Sequence, residues 1–147
     1  MTRTLRTVLG LLSTTLLASC GVHISGLLPV SPAPLGGGVD SVQPTLRWEA
    51  LPISLDPRVS EIVYDLRILR ADGGPVYVRE GLLKPEHSLE TPLDPRRNYL
   101  WTVRARFRWN GDRRMTQWTA FSDPNDRLDW IPGSPTRYLP LRTPSLP

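Results

Sequence analysis

The stretch YLWTVRARFRWNG, Tyr99–Gly111, decides the fold of this 147-residue chain. Every odd-numbered residue from Tyr99 to Phe107 is apolar (Tyr99, Trp101, Val103, Ala105, Phe107), while Thr102, Arg104, Arg106 and Arg108 take the other phase. A period of two belongs to a strand with one face in a core and the other in water. Asn110-Gly111 follows at once. Both central residues of a type I′ turn need positive φ, which Asn and Gly tolerate, so this pair predicts a hairpin.

Working outward, Thr45–Ala50 alternates in the same way and places Leu46, Trp48 and Ala50 on one face. Ile62, Tyr64, Leu66 and Ile68 form a third inward set, Asp72-Gly73-Gly74-Pro75 supplies turn residues, and Val76-Tyr77-Val78 returns as a short strand. No comparable window after the amino-terminal segment shows helical periodicity. The pattern predicts an all-β protein, an antiparallel β-sandwich of about seven strands.

The amino end reads as an address. Arg3 and Arg6 precede an apolar run, Val8 to Ala18, and the small residues Ala18 and Ser19, the layout of a secretory signal peptide. That run is short of the roughly 20 residues that cross a hydrocarbon core. Removing it leaves sixteen basic against fourteen acidic residues, an unremarkable balance that gives no warrant for nucleic-acid binding. Lys84 is the one lysine, so the basic residues are otherwise arginines, suited to planar stacking and bidentate pairing. Cys20 is the one cysteine, and no disulfide is available to a fold that must hold by its core. The sixteen prolines are unevenly spread, with three between Pro29 and Pro34 and six from Pro124 to Pro147. The expected organisation is a signal peptide over 1–19, a Pro/Gly tether with a possible first strand over 20–38, the sandwich over 39–123 and a Pro-rich tail over 124–147.

Three stretches resemble known families. Leu17-Ala18-Ser19-Cys20 resembles the lipobox of bacterial lipoproteins. That resemblance implies a diacylglycerol thioether on the Cys20 sulfur and, with Gly21 following, the outer membrane; two or more acyl chains make a durable anchor. Leu93-Asp94-Pro95-Arg96-Arg97-Asn98-Tyr99 is similar to the L-x-P-x-x-x-Y tyrosine corner of fibronectin type III domains, continued by Val103 and Ala105 and preceded by Trp48 and by Tyr64–Ile68 at matching places. This resemblance, over roughly residues 27 to 123, implies a fibronectin type III sandwich with the Tyr99 hydroxyl bonded to upstream backbone. Finally, Trp118-Thr119-Ala120-Phe121-Ser122 resembles the W-S-x-W-S element of cytokine-receptor domains of that type, with Thr for Ser and Phe for Trp. In those receptors its aromatics interleave with arginines of the preceding strand.

The candidate binding residues are therefore Arg67, Arg104, Arg106, Arg108, Trp118 and Phe121. Two readings of this arginine row stand side by side. It is a basic stripe for acidic glycans, lipid phosphates or a protein carboxylate patch, or it is a ladder satisfied internally by aromatic stacking and by Asp65 on the same face. Simple pairing across Asn110-Gly111 would instead turn Trp118 inward. No catalytic set is expected: His87 stands near the start of a predicted strand without a triad pattern, and His23 lies on the tether. No metal or cofactor is expected either, and Asp123-Pro124-Asn125-Asp126 reads as a solvated turn. The expectation is a non-enzymatic cell-envelope lipoprotein whose single module binds a protein or glycan. The alternative is a structural subunit docking through its tail, with Trp130, Tyr138 and Leu139 as anchors.

Overall fold

The computed structural model describes residues 26–33, 37–119 and 139–145. Cys20, expected to carry lipid, the expected signal segment 1–19, Phe121, Trp130 and Tyr138 lie outside these residues. The described chain contains eight strands and no helix: β1 (Pro29–Ser31), β2 (Thr45–Trp48), β3 (Val59–Arg70), β4 (Pro75–Leu82), β5 (Glu86–Ser88), β6 (Asn98–Trp109), β7 (Asp112–Met115) and β8 (Leu139–Arg142). They form two antiparallel sheets, β1-β2-β5 and β4-β3-β6-β7, with β8 also on β6. The fold is an all-β sandwich.

The inward phase of β6 is as the alternation requires: Tyr99, Trp101, Val103, Ala105 and Phe107 are all buried. Tyr64, Leu66 and Ile68 of β3 join them from the same sheet, and Leu46 and Trp48 of β2 from the opposite one. Trp48 and Tyr64 meet edge to face, centroids 5.6 Å apart, and the Tyr64 hydroxyl accepts the Leu51 N–H at 3.2 Å. Each fully buried large side chain contributes about 1.5–3 kcal/mol of burial free energy, so the paired faces hold the fold without a covalent cross-link. Asn110 and Gly111 have φ of 49° and 86°, the two positive values that a type I′ turn needs.

Tyr99 carries its ring into the core and its hydroxyl accepts the Asp94 N–H at 3.1 Å. Thr143, just past β8, secures the same corner. Its hydroxyl accepts the Arg97 N–H at 2.9 Å and donates to the Asp94 carbonyl at 2.7 Å.

The sandwich reaches beyond residues 39–123 at both ends. Pro29–Ser31 pairs with β2 of the smaller sheet, and Gly38 forms an isolated parallel bridge with Arg142 of β8 on the larger one. At the far end, Leu139 and Leu141, which the sequence places in a Pro-rich tail, are buried to 1% each in the core. Leu139 is thus a core residue and not a docking anchor. The signal was present as the alternating Leu139-Pro140-Leu141-Arg142; the six prolines of residues 124–147 hid it, yet Pro140 is admissible in a strand at an edge. β7 and β8 together make one border of β6, facing Arg106–Trp109 and Asn98–Trp101 respectively.

The open edge between the sheets is clamped by a polar contact. Tyr77 of β4 and His87 of β5 meet at 2.6 Å, oxygen to Nε2. The Glu90 N–H donates to the same Tyr77 oxygen at 3.4 Å, so the hydroxyl proton is free to go to His87. Burial, and then the Arg79 charge, hold His87 below its ordinary pKa, favouring the neutral ring that can accept it.

Candidate functional site

The outer face of the larger sheet carries Asp65 and Arg67 from β3 and Arg104, Arg106 and Arg108 from β6, the phase opposite to the core. Three irregularities in the ladders aim further groups at this face. An extra residue in a strand bends it and re-directs what it carries.

The first lies in β4, where three steps from Arg79 to Leu82 run beside two from Leu66 to Tyr64. Gly81 takes φ of 73° there, and its N–H donates to Asp65 Oδ1 at 3.2 Å. The second lies in β3 between Ser60 and Val63. Glu61 sits in it at φ 51° and accepts a 2.7 Å bond from Arg108 Nε.

The third follows β7. The Thr116 N–H still donates to Ala105 O at 2.9 Å, but the Thr119 N–H donates to Val103 O at 2.8 Å, so three steps on one strand match two on β6. Without the extra residue Trp118 would face Val103 and point into the core. With it, Trp118 stands in the phase of Arg104, and the Arg67 and Arg104 guanidinium carbons each lie 4.5 Å from its ring centroid. Thr116 and Thr119 make the irregularity affordable in hydrogen bonds: Thr116 Oγ1 accepts the Ala105 N–H at 3.0 Å, and the Thr102 hydroxyl donates to Thr119 O at 2.8 Å.

Asp65 is the centre of the row. Its side chain is 1% exposed and accepts from Arg104 Nε at 3.0 Å and from Arg106 Nε and Nη2 at 3.1 and 2.8 Å. Burial alone would raise the pKa of this carboxyl. Bonds from Arg106, Arg104 and the Gly81 N–H outweigh it and hold the group below its ordinary value. The same charge raises Arg106 further.

Of the sequence candidates, Arg67, Arg104 and Trp118 come together as a stacked trio, and Arg104 and Arg106 share one carboxylate. Arg108 is drawn off to Glu61 and to the Gly111 carbonyl at 2.8 Å. The four arginines are therefore all engaged within the chain: Arg67 by the Trp118 ring, Arg104 by that ring and Asp65, Arg106 by Asp65, and Arg108, at the hairpin end, by Glu61 and the Gly111 carbonyl. At that end a groove of about 450 Å³ is lined by Arg106, Arg108, Arg113, Arg114 and Met115, with Glu61 the sole acid. Arg113 faces Arg108 across the ladder and has no ion-pair or ring partner among the described residues. Its position is legible in the sequence, since a two-residue Asn-Gly turn fixes Arg108 opposite Arg113.

No protein-family model matches the chain, and no curated protein matches it.

Proposed function

We propose that the chain is a cell-envelope lipoprotein, held at a membrane by lipid on Cys20, whose fibronectin type III-like module is a non-catalytic binding or adaptor domain for a protein or acidic glycan. The address rests on the Leu17–Cys20 lipobox and the charged and apolar segments before it. The observation that carries the binding reading is the groove at the hairpin end. There Arg108 and Arg113 face each other across the ladder with Glu61 the one acid in the lining, and Arg113 has no ion-pair partner among the described residues.

The test is in vivo crosslinking in membranes followed by partner identification. Arg104 and Arg106 are unsuitable for substitution because they hold Asp65. Arg108→Ser with Arg113→Ser removes charge from the groove and leaves that cluster intact. The expected result is a specific crosslinked partner that disappears in the double variant while the melting temperature holds. Capture unchanged by the double variant would overturn the binding reading, and an unmodified Cys20 thiol on mass spectrometry of the native protein would overturn the address.

A further inference from the structure

We infer that β7 is a docking edge for an extended acidic segment of a protein partner, which adds to the larger sheet as a strand beside Arg113–Met115; this rests on the binding reading above and names its partner chemistry. The argument starts from the ladder. The Thr116 N–H donates to the Ala105 carbonyl while the Ala105 N–H goes to the Thr116 hydroxyl, and the residues flanking a two-residue turn, Trp109 and Asp112, form a bonded pair. Bonded and non-bonded pairs alternate in an antiparallel ladder. Arg113 opposite Arg108 and Met115 opposite Arg106 are therefore non-bonded pairs, and their own N–H and C=O groups point away from β6. Among the described residues no strand pairs with that side of β7.

An open edge of this kind offers backbone bonds to any extended chain, and the side chains choose which one. Arg113 lies on the outer face beside the groove and Arg114 on the other face, where its nearest acid, Asp112, is 3.9 Å away. Met115 is 60% exposed. A second copy of β7 would set arginine against arginine, so the edge disfavours self-pairing. The complementary sequence has acids opposite Arg113 and Arg114 and an apolar residue opposite Met115.

The probe is a fluorescein-labelled hexapeptide, Thr-Val-Asp-Glu-Val-Thr, titrated by anisotropy against the purified full-length chain. Controls carry Lys-Lys for Asp-Glu, or N-methyl groups on alternate amides. We expect binding that the lysine and N-methyl peptides lose, and that Arg113→Glu weakens by about tenfold or more. Met115→Pro removes one outward N–H without touching the ladder to β6 and should weaken binding by a similar factor. Full binding of the N-methyl peptide, or by Met115→Pro, would show plain attraction of polyanions and overturn the strand assignment. No binding by the folded wild-type chain would overturn it as well. These outcomes are separate from the crosslinking test: a membrane partner lost with the Arg108/Arg113 double variant but retained by Met115→Pro would leave the adaptor reading standing and this inference refuted.

Discussion

Substituting Asp65→Asn removes a negative charge without changing side-chain size, and its cost follows from what surrounds the carboxylate. Two guanidiniums converge on it, and removing one partner of a fully buried ion pair costs about 3–5 kcal/mol because the other charge is stranded. Arg104 and Arg106 keep 22% and 41% of their side-chain exposure, so water recovers part of that loss. The expected destabilisation is about 2–3 kcal/mol. With a urea m-value of roughly 1 kcal/mol/M for a domain of this size, the midpoint should fall by about 2 M with the slope unchanged. In a background of Arg104→Met and Arg106→Met the same change should cost less than about 1 kcal/mol, since no cation then waits for the charge. The pH dependence has a definite sign. The folded-state value of Asp65 is depressed, so its stabilisation is present above about 3.9, the ordinary aspartate value, and is lost as pH falls through the folded value. Asp65→Asn should therefore flatten the acid limb of the stability curve. A midpoint shift under about 0.5 M at neutral pH, with the slope retained, would refute the reasoning and mean that solvent satisfies both arginines.

Tyr99→Phe deletes the acceptor for the Asp94 N–H and should cost about 1–2 kcal/mol in a denaturant melt; no loss would mean that the Thr143 bonds alone hold the corner. Trp118→Ala removes the ring between Arg67 and Arg104 and should cost about 1–2 kcal/mol, with a measurable coupling to Arg67→Ala in a double-mutant cycle. His87 has a depressed folded-state value, so its neutral form contributes above about 6.5, the ordinary histidine value, and that contribution is lost as pH falls through the folded value. Thermal melts between pH 7 and 5 should show a loss of up to about 1 kcal/mol that is absent in His87→Gln.

Period-two patterns were enough to place β2, β3 and β6, because each buries one face of the pleat and a slip of one residue would expose Trp48, Leu66 or Val103. Asn110-Gly111 likewise fixed the hairpin and, with it, the facing of Arg108 and Arg113. What no pattern could reveal was where a ladder gains a residue. Trp118 is decided by a single inserted step between Thr116 and Thr119, and residue identity alone permits either phase there. Gly81 and Glu61 illustrate the same point: one supplies an amide and the other a carboxylate to residues on different strands, so their roles exist only after assembly. β8 was missed for another reason. Its four residues follow a long Pro-rich stretch, and local composition outweighed a short alternation.

The split border of β6 has a temporal consequence. Trp101 meets Leu139, and Gly38 meets Arg142, so some of the most distant pairings in the chain seal the core beside Tyr99. A chain emerging vectorially, at about 5–20 residues per second, offers β6 only half of its neighbour until the stretch ending at Arg142 is made. Completion of the sandwich thus waits for the stretch through Arg142, and a shortened product ending before Leu139 would present an unsealed apolar seam in place of a smaller stable body.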